Sequence, residues 1–188
     1  MLTYANTYTG GTTLRAKASN RGSATLEIDN TSGSGTGSGP VVVKGGALRG
    51  TGTIAGPVTL NDVHNGPFIS TILAPGRLGF AAPGRLTIQS ALTIDSATFE
   101  VAMTASDASE VVANGVTLNS GADIFFTHLH HGALPPGTVF TLINNTSASP
   151  IAGTFLDLRD GRTFTRFGNT YQANYKGGDG NDLTLTVQ

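Results

Sequence analysis

The sequence predicts an all-β fold made of short strands, and three observations carry that prediction. Alternating apolar phrases of three to five residues recur along nearly the whole chain, separated by turns bearing Gly or Asn. Glycine is abundant, at 26 of 188 residues, and no segment makes a convincing long helix. Two phrases, Gly39-Pro40-Val41-Val42-Val43 and Gly56-Pro57-Val58-Thr59-Leu60, repeat one grammar a short interval apart.

In chain order, residues 1–23 are polar and Thr-rich. "ATLEID" (24–29) then reads as a strand with Leu26 and Ile28 on one face. "NTSGSGTGSGP" (30–40) has a linker's composition. It reads better as a long turn between strands, because the same style of sequence continues on both sides. "Gly-Ala-Leu" and "Gly-Thr-Ile" supply shorter strands between the two Gly-Pro phrases. "RLTIQSALTIDSATFEVAM" (85–103) gives three more, with Leu86/Ile88, Leu92/Ile94 and Phe99/Val101 facing together. "TASDASEVVANG" (104–115) reads as a loop or a short helix capped by Ser106 or Asp107. "GVTLNSGADIFF" (115–126) returns to strands through Val116/Leu118 and Ile124/Phe126, and "TVFTLINN" and "LTLTV" continue them. The last block holds most of the late aromatics: Phe140, Phe155, Phe164, Phe167, Tyr171 and Tyr175. It reads as an antiparallel hairpin or meander, with turns at Gly168-Asn169 and Gly178–Asn181.

Strands this short cannot stand alone. Stacked in successive coils, each buries its inward side chains against the next, at the ordinary inter-strand spacing of ~4.8 Å. At roughly 17–25 residues per coil, about six to eight coils fit. A β-sandwich uses the same short alternating strands and frequent turns, so both architectures remain open at this level.

Composition excludes several function classes. A net charge of −1 with 12% charged residues gives no basic face for nucleic acid. The absence of Cys removes disulfides, thiolate metal sites and cysteine nucleophiles. No apolar run approaches the ~20 residues of a membrane helix, so no membrane insertion by this segment is expected. "MLTYANTYTG" lacks the basic start and apolar stretch of a signal peptide; Met1 joined to repeat-like text suggests an excised fragment with its targeting information missing.

Seven phrases belong together: "NTYTGGTTL" (6–14), "GSGPVVVKGGALRGTGTIAGPVTL" (37–60), "LAPG" (73–76) leading to "GRLTIQSALTI" (84–94), "GTVFTLINN" (137–145), "IAGTF" (151–155) and "YKGGDGNDLTLTV" (175–187). Together they resemble the autotransporter-associated β-strand repeat proteins. The resemblance spans nearly the whole chain in the expected order. It implies a right-handed parallel β-helix (solenoid) with a C-terminal antiparallel β cap. It also implies a passenger-type segment of a secreted or cell-surface bacterial protein, with structural or adhesive roles and no shared active site. On this reading residues 1–139 form the coils and 140–188 the capping segment of the same domain. Two departures stand out. The connection 61–84 is longer than the family's usual one and carries "APG" twice, which reads as an inserted loop projecting from the stack. No barrel strands or sorting tail follow within this sequence, leaving the route of export open.

Candidate chemistry is sparse. "GGDGNDLTL" (177–185) matches one copy of a calcium-binding nonapeptide, with Asp179 and Asp182 as carboxylate donors. Calcium takes six to eight oxygens, and no second copy exists to complete a cage, so a tight Gly turn is the better reading: Gly177, Gly178 and Gly180 permit positive φ and Asn181 or Asp182 ties the backbone. In "THLHH" (127–131), His128 and His130 share a strand face and offer two imidazoles for a transition metal. A third ligand, His64 or Asp123, is not selected by any spacing. The acidic residues are dispersed, without the cluster that polysaccharide cleavage needs, and "DLRDGR" (157–162) reads as a hairpin turn at Asp160-Gly161. No G-x-S-x-G elbow or phosphate loop is present.

The expected function is therefore a non-catalytic structural or display module, with no cofactor. A carbohydrate- or cell-surface-binding adhesin module is the alternative, using the 61–84 connection, with surface polysaccharide as partner. A polysaccharide-degrading β-helix enzyme comes third. Self-association is expected through an open N-terminal end of the stack.

Overall fold

In the computed structural model, residues 1–16, 24–62, 71–77, 82–128 and 131–188 are described, at 128 by the backbone alone. They contain strands and no helix. After β1 (Thr12–Leu14) come β2 (Thr25–Ile28) and β3 (Val41–Val43), then β4 (Gly46–Gly50), β5 (Thr53–Ile54) and β6 (Val58–Asn61). Next are β7 (Thr71–Pro75), β8 (Arg85–Ile88) and β9 (Leu92–Ser96), then β10 (Thr98–Ala102), β11 (Glu110–Ala113) and β12 (Val116–Leu118). The chain continues with β13 (Asp123–His128), β14 (Val139–Asn145), β15 (Thr163–Arg166), β16 (Asn169–Gly177) and β17 (Asp182–Val187).

These strands form three sheets, and the chain visits them in rotation. The first has the order β1-β3-β6-β9-β12 and the second β13-β10-β7-β4-β2, every pair parallel. The third, β15-β16-β17-β14-β11-β8-β5, is parallel from β5 to β14 and antiparallel beyond it.

Period-2 alternation explains the register. In the second sheet Leu26, Leu48, Leu73, Phe99 and Ile124 occupy one column, each paired to the next. In the first sheet Val41, Val58, Leu92 and Val116 make a column, and Val43, Leu60, Ile94 and Leu118 a second beside it. In the third, Leu86, Val111 and Ile143 do the same. Side chains from all three sheets join one buried apolar cluster. A one-residue slip in any strand would turn its apolar set outward, so burial pins the register. Between the buried positions, Thr13, Val42, Thr59, Thr93 and Thr117 line up on the opposite face of the first sheet.

The repeated Gly-Pro phrase is a register step between neighbouring strands, since Val41 pairs with Val58, Val42 with Thr59 and Val43 with Leu60. Later steps in the same sheet, from Val58 to Leu92 and from Leu92 to Val116, span longer stretches of chain. The 61–84 connection accounts for the longest step, and part of it is strand rather than projecting loop. Thr71–Pro75 is β7, paired to β4 and β10, because Leu73 fills the apolar column. The rest of that connection, 63–70 and 78–81, lies outside the described residues.

Two other connections differ from, or sharpen, the sequence reading. Residues 34–37 are buried, and Ser34 Oγ accepts from Ala55 N–H (3.0 Å) and donates to the Gly37 carbonyl (2.6 Å), so 30–40 is a packed turn. In 104–115 no helix forms. Thr104 Oγ1 accepts from Asp107 N–H (3.1 Å), closing a turn, and Glu110 already opens β11. Val111 pairs with Leu86 and Val112 with Thr87, so tertiary pairing overrides a weak local helix preference.

At the end of the chain, β15 and β16 form a two-residue hairpin. Its loop is Phe167-Gly168, at φ 48° and 82°, both left-handed as a type I′ turn requires. The turn sits one residue earlier than Gly168-Asn169. Asn169 instead opens β16, where its carboxamide accepts from Leu134 N–H (2.8 Å) and donates to the Gly132 carbonyl (2.7 Å). The Gly178–Asn181 turn stands as read; Asp160-Gly161 is a turn but not a hairpin, because among the described residues β15 pairs forward with β16 and not with a strand before the turn.

Candidate functional site

The Gly/Asp turn separates its two carboxylates. Asp179 is exposed, whereas Asp182 is buried at the start of β17. Asp182 Oδ1 accepts from Asn145 N–H at 2.8 Å, fastening the turn to the end of β14. Burial pushes the Asp182 carboxyl above its usual range; the Asn145 hydrogen bond opposes that shift and the Asp179 charge adds to it. Asn181 Nδ2 donates to the Ser147 carbonyl, and Asn145 itself accepts from Gly115 N–H (3.1 Å) and donates to the Ser149 carbonyl (2.7 Å). Gly178 and Gly180 have positive φ, but Gly177 does not. A Cβ on Gly177 would meet the Thr184 side chain at 2.4 Å, so close strand approach, not a left-handed backbone, calls for glycine there. These groups tie strand ends together.

His128 is the last residue of β13, its backbone opposite Ala102. His130 and His64 lie outside the described residues. Asp123, at the other end of β13, accepts from Ile124 N–H at 2.8 Å. Among the described residues no three His, Asp or Glu side chains come close enough to hold a metal ion.

Stacking does bring some of the dispersed acids near partners. Arg49 Nη2 meets Glu100 Oε2 at 3.0 Å across the intervening Ala74 rung. Buried Asp29 accepts from Thr51 N–H (2.9 Å) and Oγ1 (3.1 Å) and faces Arg77 (3.6 Å). Glu110 faces Arg85 at 3.4 Å; burial raises its carboxyl, while Arg85 and a hydrogen bond with Asn144 oppose that shift. Each of these acids is matched to a cation or hydrogen-bond donor on another strand or turn, the arrangement of cross-strand ties.

The C-terminal block is anchored by Tyr175. Its hydroxyl accepts from Phe155 N–H (3.0 Å) and donates to the Leu158 carbonyl (2.7 Å). Burial pushes its pKa up to about 12, with the Phe155 hydrogen bond opposing and Asp160 adding. Phe99 packs on Phe155 at 6.0 Å, and Phe164 on Tyr171 at 5.3 Å.

Beside this block runs a groove of about 390 Å³ that sequence reading missed. One wall is β13, with Asp123, Ile124, Phe125 and Phe126; the other includes Asp157, Leu158, Arg162, Phe164 and Arg166. Phe126 and Phe164 meet across it, ring centroids 5.0 Å apart. Phe125 is 58% exposed. Arg162, Phe164 and Arg166 alternate along one strand face, a spacing legible in "GRTFTRF". What the sequence hid was the opposing wall, which lies far earlier in the chain.

No protein-family model, curated protein or solved structure matches this chain.

Proposed function

We propose that this chain is a right-handed parallel β-helix with an antiparallel C-terminal cap, serving as a non-catalytic structural or display segment of an exported bacterial protein. It is the kind of segment seen in the autotransporter-associated β-strand repeat proteins that its phrases resemble. The observation that carries this reading is the apolar column Leu26, Leu48, Leu73, Phe99 and Ile124, one residue per coil in unbroken parallel register. Stacks of this type are nearly one-dimensional: each coil covers the floor of the next, and length is added without a new core. A spacer needs that property and a reactive centre does not.

Supporting the absence of catalysis, three of the perturbed groups have structural work. Asp182, Glu110 and Tyr175 owe their raised pKa values to burial, and each contacts a partner that fixes a strand end or turn. Supporting the cap, β17 and β16 complete the third sheet in antiparallel sense, closing the edge that β14 would otherwise expose. Self-association through the first coil belongs to the same reading, since Met1, Tyr4 and Tyr8 are exposed there.

The test is incubation of the purified chain with a panel of neutral and acidic polysaccharides, followed by assay of new reducing ends. The structural reading predicts none above background. Release from any one of them, lost in a Glu110→Gln or Asp182→Asn variant, would replace it with an enzyme.

A further inference from the structure

Two sheets end at the same groove, and their ends are unlike the rest of the molecule. β13 is the terminal strand of the second sheet and β15 that of the third; among the described residues, β13 pairs only with β10, and β15 only with β16. Each therefore presents main-chain N–H and C=O groups that no strand uses. Asp123 N–H bonds back to Ala97 on the β10 side, so the main chain of Ile124 and Phe126 faces away from β10. The Ile124 N–H there is met only by the neighbouring Asp123 carboxylate, at 2.8 Å. Leu156 N–H donates to the Ala122 carbonyl at 3.0 Å, which starts a further rung just ahead of β13. Beyond that point the edge has no strand partner among the described residues.

The groove also has a defined charge pattern. Arg162 and Arg166 stand exposed on either side of Phe164, and neither forms an ion pair among the described residues. Asp157 lies on their own wall and is exposed, and the opposite wall bears Asp123, whose Oδ1 is already engaged. The available cations thus outnumber the available acids, in the order cation, aromatic, cation at every second residue.

We propose that this groove docks an extended acidic peptide segment, which adds to the β13 edge as a further strand. A strand supplies main-chain donors and acceptors at the repeat the edge requires, and alternate side chains reach one wall. Carboxylates two residues before and two after an apolar residue then meet Arg162 and Arg166, while the apolar residue lies on Phe164 and Phe126. An acidic polysaccharide would satisfy the guanidinium groups but not the strand edge. This inference is independent of the spacer role, which needs no ligand.

The probe is a fluorescein-labelled seven-residue peptide alternating threonine with glutamate, valine and glutamate, titrated by anisotropy into the full chain. Nitrogen-labelled protein is titrated in parallel by NMR. The expected result is saturable binding, with amide shifts confined to residues 123–127 and 162–166. The Arg162→Ala/Arg166→Ala variant, both positions exposed and so expected to fold as the parent, should bind at least about tenfold more weakly. Methylating the peptide nitrogens that face β13 should abolish binding, whereas methylating the alternate nitrogens should leave it within about twofold. The proposal is overturned by an absence of saturable binding, by equal affinity for the double variant, or by equal binding of both methylated peptides. It is also overturned if polygalacturonate binds through the same arginines and displaces the peptide, which would make the groove a sugar site.

Discussion

The parallel strands up to β14 and the antiparallel strands after it reach burial by opposite routes. In the parallel part, the strands that pair are separated by connections of any length. Val41 finds Val58 across a short connection, while Val58 finds Leu92 across a much longer one. Nothing local holds such pairs, so apolar columns and parallel register must do so, and loop length costs little once the ends are fixed. At the C-terminus, β15, β16 and β17 pair with their sequence neighbours through a two-residue and a four-residue turn. There, hydroxyl and carboxylate ties at Tyr175 and Asp182 supplement the apolar contacts. The lesson is that one chain uses packing where partners are remote and directed polar bonds where a short block must be seated on a stack.

Breaking the parallel side should have the largest effect. Phe99 is fully buried, between Leu73 and Ile124 in the column and against Phe155 of the C-terminal region. Phe99→Ala is expected to cost about 3–5 kcal/mol in denaturant unfolding, with hydrogen exchange accelerated in β7 and β13 on both sides. Next is Gly56→Ala. Its new Cβ would sit 2.0 Å from the Gly39 carbonyl oxygen ahead of the neighbouring strand β3, a backbone atom that cannot swing aside. A loss of roughly 1–3 kcal/mol is expected, read as a lower midpoint at unchanged slope.

Tyr175→Phe tests the other side at nearly constant volume. It strips a partner from both Phe155 N–H and the Leu158 carbonyl, so about 1–3 kcal/mol should be lost. Faster exchange should be confined to the C-terminal block; acceleration spreading to β2 and β4 would show that the two regions do not differ in this way.

The smallest effect sharpens the comparison through pH. The Asp182 carboxyl is raised above the ordinary value of 3.8 in the folded protein, so the native state binds the proton more tightly than the unfolded state does. Its contribution to stability is full below that ordinary value and is lost as pH rises through the raised one. Glu110 shifts the same way. Asp182→Asn keeps an oxygen acceptor for Asn145 N–H and carries no charge. At neutral pH it should match the parent within about 1 kcal/mol. As pH falls through the carboxylate range, the parent should gain on the variant in thermal melts. A parent that instead loses ground would reverse the assigned direction.

Much of the parallel region was legible because its signal is periodic. Leu86/Ile88, Leu92/Ile94 and Phe99/Val101 face inward as alternation predicts, and the repeated Gly-Pro phrase is a true register step. Strand β7 was obscured by its place inside the long 61–84 connection, which reads as one inserted loop, although Leu73 carries the inward signal. β11 was obscured because "SEVVANG" suits a helix locally and becomes a strand only against β8. The Gly178–Asn181 turn was legible from its glycines. The role of Asp182 was not, since its partner Asn145 lies 37 residues away. The groove shows the same limit: Arg162, Phe164 and Arg166 are plain in the sequence, but the β13 edge facing them is a product of topology.

The chain has no cysteine, which makes its register directly measurable by paired cysteine substitution. Thr59, Thr93 and Thr117 occupy one column on successive strands β6, β9 and β12 of the first sheet. Neighbouring strands are ~4.8 Å apart, within disulfide reach, whereas strands two apart are not. Oxidation should cross-link Thr59→Cys/Thr93→Cys and Thr93→Cys/Thr117→Cys rapidly, and leave Thr59→Cys/Thr117→Cys unlinked. Rapid linkage of the third pair, or failure of the first two in folded protein, would contradict the parallel stack.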